Sequence, residues 1–330
     1  MQDHAPTPRK TETAVVRAAP PSFLFLVVLT SASPFALNAI SPAMPRMADG
    51  FGVSYGVIQL VLTLALVAFG TAQLIVGPLS DRHGRRPVVL AGLALFTAGS
   101  FLSAQAWSPS VLILGRVLQA SGGATAFVLA RTIVYDTHDR DGATQTISYM
   151  VMAMVLAPML ATIIGGWMAE TIGWRAIFWT ISSIGAALLA LTAAVLHETN
   201  PLAGTARTIA DIGREAVALL QLRSYWAYTC ASAFASGMFF AFLGVAPFVV
   251  EKIMGRQPSE FGVYFVLMSI GYMAGNFVSG RIARVMGPER MLRLGVIAAI
   301  PGIALFWLLS PFVHPVAIFL PMMFLTFSNG

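Results

Sequence analysis

Apolar residues in this chain come in long unbroken blocks, and that pattern dictates the class of fold. Blocks occupy 23–44, 57–79, 88–106, 110–130, 143–169 and 176–196, then, after a polar interval, 225–250, 261–280, 291–310 and 313–330. About 20 apolar residues in a helix cross the ~30 Å hydrocarbon layer of a bilayer. Ten spans are therefore expected. Composition agrees, because hydrophobic residues make up 57% of the 330 and charged residues only 10%. Soluble domains carry roughly 25% charged residues, so a water-facing surface could hardly be built from this chain. The expected fold class is all-α integral membrane, with the lipid bilayer as the chain's solvent.

The charges fix an orientation. With the N-terminus on the cytoplasmic side, 15 Lys and Arg residues fall in cytoplasmic segments, and four, Arg46, Arg175, Lys252 and Arg256, fall outside. Lys and Arg are retained on the cytoplasmic face of membrane proteins, so this bias supports both the span count and the direction. It also accounts for the net charge of +6, with no nucleic-acid partner required. Residues 1–22 are polar and Pro-rich, without the apolar core and small-residue cleavage site of a signal peptide, and read as a disordered cytoplasmic tail. Residues 23–196 form a first group of six spans, 197–224 a cytoplasmic linker with an amphipathic run from Ile209 to Leu222, and 225–330 a second group.

The second group is a weak copy of the first. Gly77 and Gly84, flanking the end of span 2, are matched by Gly280 and Gly287 at the end of span 8, each 203 residues on. That offset sets residue 330 opposite Phe127, partway along span 4, so a complete second group would extend to about residue 399 and the chain is expected to stop within span 10.

The most specific local signal follows span 2. In GPLSDRHGRRP, residues 77–87, glycine allows a tight turn between helices, and Asp81 with Arg82, Arg85 and Arg86 can form a charged latch at the membrane rim. An orienting hairpin would explain the arginines but not the spacing of Gly77, Asp81, Gly84 and Arg85. This segment resembles the loop motif of the major facilitator superfamily. Leu112–Ala124, containing Arg116, Gln119 and Ala120, resembles the family's Arg-x-x-Gln-Gly element, with Ala120 where Gly is usual. Ala157-Pro158 with Gly165 and Gly166 is similar to the Pro-Gly-Gly element of antiporters, without the usual Gly before Pro. Pro34, Asn38, Pro42 and Pro45 follow a drug-exporter element that normally carries Asp at the Asn38 position. The runs Ala130-Arg131-Thr-Ile-Val-Tyr-Asp136, Gly173–Phe178 and Phe239–Val250 resemble the Bcr/CflA branch, the bicyclomycin and chloramphenicol resistance transporters. The resemblance implies two six-helix bundles related as parallel repeats, here incomplete, and it implies two roles: Arg131 and Asp136 extend the latch, and Arg116 takes part in proton coupling.

Arg116 is the one charge well inside a span. A charge there is costly, by roughly 2.5–3.5 kcal/mol on insertion scales, and is a functional candidate facing the interior. Snorkelling to the outer surface is the alternative; Gln119 one turn away and the lack of a nearby carboxylate favour function. Asn38 points the other way, because Asn cannot exchange a proton and no span carries Asp or Glu in its core. Pro158, Gly165 and Gly166 are expected to bend span 5 and let helices approach closely. Met150, Met154, Phe239, Phe242 and Tyr272 suit an adaptable apolar cavity, with Gln73 and Asn276 as polar groups facing it. The histidines His83, His138, His197 and His314 lie in loops or at span ends, so no metal site is expected, nor any cofactor. No phosphate-cradling loop or hydrolytic triad stands out, and an enzyme is not expected.

The functional expectation is a monomeric drug-efflux antiporter that takes up small amphipathic molecules and exchanges them for protons. Asn38 leaves open a uniporter or metabolite exporter without proton coupling, and the expected stop within span 10 leaves open an inactive remnant.

Overall fold

The computed structural model describes residues 20–200, 214 and 217–329, and every regular element among them is helical. In chain order these are α1 (Phe23–Ala39), a 3-10 turn (Ser41–Ala43), α2 (Met44–Phe51), α3 (Tyr55–His83), α4 (Arg85–Ala104), α5 (Pro109–Thr137), α6 (Arg140–Thr171), α7 (Trp174–Val195), α8 (Arg223–Phe248) with a π-helical turn (Val249–Ile253), α9 (Pro258–Leu309) and α10 (Pro315–Asn329). Among the described residues nine segments are long and apolar enough to cross a membrane, and Pro315–Ser328 adds a shorter apolar helix. The N-terminal tail to residue 19 and residues 201–213, 215 and 216 of the linker, the first part of the run Ile209–Leu222 among them, lie outside the described residues.

Two of the nine segments, Pro258–Ile282 and Arg290–Leu309, belong to α9. Gly271 lies against the Met323 carbonyl and Gly302 against the Leu325 side chain. In one straight helix residues 271 and 302 would stand about 46 Å apart, whereas Met323 and Leu325 are near neighbours on α10. The two arms of α9 therefore double back on each other and share α10 between them.

The outside of the helices is apolar. Leu74 and Phe234 are 79% exposed and Trp307 78%, three among many large apolar side chains on the surface. Contiguous exposure on that scale suits a lipid solvent and no other. Inside, small residues bring helices into backbone contact, as membrane helices without a hydrophobic driving force require. A Cβ on Gly99 would strike the α5 backbone at Gln119, one on Gly122 the α4 backbone at Gly92, and one on Gly165 the Ala39 carbonyl of α1. The buried apolar residues form a large cluster running from Phe25 to Leu196, a separate one from Leu243 to Leu325, and a small third of Leu37, Ala65 and Ala120.

The expected proline break in span 1 occurs, but not at every proline. Pro34 sits inside α1, and the break falls at Ile40–Ala43, with Pro42 and Pro45 opening the 3-10 turn and α2. Those are first-turn positions, where the missing N–H has no partner to lose. The break turns α2 aside and places Arg46 and Asp49 at that end of the molecule. Cys230, the single cysteine of the sequence, is exposed on α8.

Candidate functional site

A cavity of about 360 Å³ lies between the two halves of the chain. From the first half, α1 contributes Pro34, Leu37 and Asn38, α3 Phe69, α5 Phe127 and Arg131, and α6 Val151, Met154 and Pro158. From the second, α8 contributes Ser236, Phe239 and Phe240, α9 Phe265, Met268, Ser269 and Tyr272, and α10 Thr326. Six aromatic rings and two methionines make walls that can repack around an apolar guest. Of the sequence-based candidates, Asn38, Met154, Pro158, Phe239 and Tyr272 are brought together here.

Other candidates lie elsewhere. Met150 is 1% exposed and packed in the core of the first half, one helical turn from Met154 but off the cavity wall. Phe242 stacks edge-on against Phe319 at 5.3 Å, inside the second core. Gln73 is absent from the wall, and Asn276 donates its amide to the Tyr272 carbonyl one turn back, at 2.8 Å. Met150, Phe242 and Asn276 each stand three or four residues from a lining residue, Met154, Phe239 and Tyr272, so they share its side of the helix and differ from it in depth along the helix axis.

Arg131 is the principal correction. The resemblance assigns it to the latch with Asp136, yet five residues on a helix rotate the direction by roughly 140°. Arg131 turns into the cavity, its guanidinium 5.0 Å from the Phe127 ring centroid and Nη2 donating to Met154 Sδ at 3.7 Å. No ion pair among the described residues involves it. The sequence signal that could have found it is helix phase: Phe127 and Arg131 are an i, i+4 pair.

Arg116 is fully buried on α5, and the cavity wall does not include it. Its Nη1 donates to the Ala36 carbonyl of α1 at 3.3 Å and to Gln119 Oε1, and Gln119 Nε2 donates to Ser100 Oγ of α4 at 2.7 Å. Nε and Nη2 have no partner. The side chain neither snorkels nor faces a substrate in this conformation: it is sealed between α1, α4 and α5, so "substrate-facing" is corrected to "interhelical". Asn38 donates Nδ2 to the Pro34 carbonyl at 2.8 Å and leaves Oδ1 buried without a partner.

The latch forms around Arg85. Its Nε donates to Asp136 Oδ2 at 3.0 Å, and Nη1 donates to Ser80 Oγ at 2.6 Å and to Asp81 Oδ1. Gly84 has φ +93°, and a Cβ there would strike Glu198, so only glycine fits. Gly77 meets nothing within 4 Å and has no such constraint. Arg82 is exposed, and Arg86 reaches the Ala193 carbonyl at 2.9 Å. Glu198 was not anticipated. It accepts from the backbone N–H groups of Arg85 at 2.8 Å and Arg86 at 3.2 Å, satisfying orphan donors at the start of α4 where the helix dipole favours an anion.

At the opposite end the bonds cross between halves. Arg46 Nε donates to Glu251 Oε1 at 3.4 Å and Nη2 to Gln257 Oε1 at 3.2 Å, while Nη1 donates to the Ala169 carbonyl of its own half at 3.0 Å. Lys252 Nζ donates to Asp49 Oδ2 at 2.6 Å. Ser41 Oγ donates to the Leu243 carbonyl and Tyr55 Oη to the Gly244 carbonyl, each at 2.7 Å. Gly166 packs on the Pro258 backbone, and Gly262 on that of Thr162 and Ile163. These side-chain hydrogen bonds between α1–α7 and α8–α10 all lie at this end. The cavity is closed there.

The family model described as Major Facilitator Superfamily matches residues 26–330. An uncharacterized MFS-type transporter of Bacillus subtilis, YdgK, is 31% identical over 297 residues, covering 88% of this chain and 73% of that protein. A bicyclomycin resistance protein homolog of Haemophilus influenzae is 27% identical over 292 residues, covering 87% and 73%. A chloramphenicol resistance protein of Pseudomonas aeruginosa is 30% identical over 273 residues, covering 80% and 62%. Among solved structures, a bacterial homolog of the human lysosomal transporter Spinster superposes with TM-score 0.75 at 16% identity, covering 93% of this chain and 71% of that one. A D-xylose-proton symporter superposes with TM-score 0.71 at 15% identity, covering 93% and 78%.

Proposed function

The chain belongs to the major facilitator superfamily, and from that premise we propose that it exports amphipathic drug-like compounds across a bacterial inner membrane by alternating access. The single observation that carries this reading is the cavity between the halves, walled by six aromatic rings and two methionines, with cross-half bonds at its Arg46 end. Relatives named for bicyclomycin, multidrug and chloramphenicol resistance support the choice of cargo. On the positive-inside rule the Arg46 end faces outward and the Asp81 end and N-terminus face the cytoplasm. The conformation described is then inward-facing. The two halves, 23–196 and 225–330 joined by 197–224, move as the two bodies of the cycle, and a monomer suffices because the cavity is built from one chain.

In this reading the cross-half bonds at the Arg46 end form the outer gate and must break for release. Asp81, Arg85, Asp136 and Glu198 brace the inner rim of the first half. Arg116 and Gln119 hold α1, α4 and α5 together, so any part they play in coupling acts through the position of α1 and hence of Asn38. Pro158, Gly165 and Gly166 let α6 approach both α1 and α9.

A drug-susceptibility panel in a pump-deficient host tests the reading. Raised resistance to apolar aromatic compounds is expected, and unaltered susceptibility to every compound despite good expression would sink it. A second reading, transport without proton coupling, is favoured by one observation: no carboxylate lines the cavity, and Asn38 occupies the place of the exporter Asp. Proteoliposome flux with the pH gradient intact and collapsed decides between them. Unchanged flux after collapse would exclude antiport.

A further inference from the structure

The cavity wall carries one charge. Arg131 is the sole ionisable side chain among the lining residues apart from the Tyr272 phenol, and no Asp or Glu stands beside it. Its present contacts, the face of Phe127 and the sulfur of Met154, are weak and easily exchanged. A guanidinium offers five N–H donors in a planar fork suited to a carboxylate or a similar oxyanion. A second group is also unfulfilled. Asn38 lines the same cavity at 4% exposed, and its Oδ1 is buried with no donor. A buried acceptor without a partner costs free energy that a ligand hydroxyl or amide N–H would recover.

From this pairing of one unpaired guanidinium with one orphaned amide oxygen in an otherwise apolar cavity, we infer that the cargo is an aromatic amphipath carrying an anionic or strong acceptor group, which meets Arg131, together with a donor that meets Asn38. Cationic amphipaths are disfavoured, since the cavity supplies no counter-charge and places a fixed positive charge against them. The inference rests on the efflux reading and narrows it to a substrate class. Arg131 thereby becomes a specificity-determining residue.

Three isosteric probes test it with the full chain: 6-hydroxy-2-naphthoate, its primary amide and the corresponding aminomethyl cation, titrated calorimetrically against the purified protein. The anion is expected to bind at least roughly tenfold more tightly than the cation, with the amide between them. Arg131→Gln is expected to bring the anion-to-amide ratio to near one. Arg131→Lys, which keeps the charge and loses the fork, should hold that ratio above one, and unchanged elution and melting profiles confirm folding of both variants. A cation preference in the wild type, or a ratio untouched by Arg131→Gln, would overturn this inference and leave the efflux reading standing. Binding of none of the three would overturn this inference, and unaltered susceptibility across the drug panel as well would overturn the efflux reading with it.

Discussion

The two ends of the cavity are held by the same kinds of charge in opposite ways. At the Arg46 end, Arg46–Glu251 and Lys252–Asp49 join one half to the other. At the Asp81 end, Arg85 joins Asp81 and Asp136, all three in the first half. In the proposed alternating-access cycle, bonds of the first kind belong to a conformational equilibrium, present in one state and lost in the other. Bonds of the second kind would stabilise a body that moves as one. Mutations at the two ends should therefore fail differently: one set shifts which face of the cavity is open, the other lowers the melting temperature and leaves the open face unchanged. A single reporter separates them. With exposed Cys230 removed as Cys230→Ser, a thiol placed by Ser41→Cys is fully buried in the closed state and reacts only when the Arg46 end parts.

The largest effect is expected from Gly166→Val. A Cβ at this position meets the Pro258 carbonyl, which is backbone and cannot swing aside. Overpacking of that kind costs up to about 3 kcal/mol, and here the strain is relieved by opening the gate. Labelling of the Ser41→Cys thiol should become fast. Slow labelling with a lowered melting temperature would show that the seam stays closed and the strain is absorbed within α6.

Arg85→Ala comes next, at about 2 kcal/mol of thermal stability. Asp136 and Ser80 lose a mostly buried partner, and removing one member of a buried pair costs more than the pair contributes. The figure is kept below the usual range because the Asp81 side chain is 55% exposed and needs little help from a counter-ion. No change in thiol labelling is expected. Faster labelling would mean that the inner brace also biases the gate, and the contrast between the two ends would dissolve.

Arg46→Ala should favour the outward-open state by about 1.5 kcal/mol, roughly a tenfold change in population. It deletes bonds to Glu251, Gln257 and the Ala169 carbonyl, but the side chain is 31% exposed, so water replaces much of what is lost. Faster thiol labelling with little change in melting temperature is the signature. The reverse pattern would reassign Arg46 to the rigid body.

Much of this contrast was legible in the sequence, and the reason it stops where it does is physical. Span lengths depend on local hydropathy, so the blocks translate directly into helices, and the latch residues Asp81, Gly84 and Arg85 assemble because the turn that unites them is local. The 203-residue repeat reappears in space, since Asp49 and Lys252 are separated by that same 203 and touch, as equivalent residues must near an axis relating the halves. Helix phase was the weak link. Span hydrophobic patterns are nearly uniform around the helix, because lipid-facing and core-facing surfaces are both apolar. The i, i+4 spacing of Phe127 and Arg131 was the one hint that Arg131 faces the cavity, and nothing separated Met150 and Phe242 from Met154 and Phe239, one turn away. Glu198 was unreadable for another cause: its bonds to the backbone of Arg85 and Arg86 bridge more than a hundred residues.

The smallest effect tests the gate at its most exposed point. Lys252 and Asp49 approach to 2.6 Å, yet their side chains are 38% and 57% exposed. Two solvated charges with long side chains lose as much in ordering as they gain in attraction, and such pairs contribute about 0.5 kcal/mol. Lys252→Ala should therefore raise Ser41→Cys labelling only about twofold at low salt, and the difference should vanish in about 1 M salt, where the Debye length is near 3 Å. Arg46→Ala should keep most of its effect under the same conditions, since the Glu251 side chain it abandons is only 16% exposed and poorly reached by ions. Equal salt sensitivity of the two variants would show that the gate closes through the overall field of that face, and that the buried Arg46 contacts hold no special place in it.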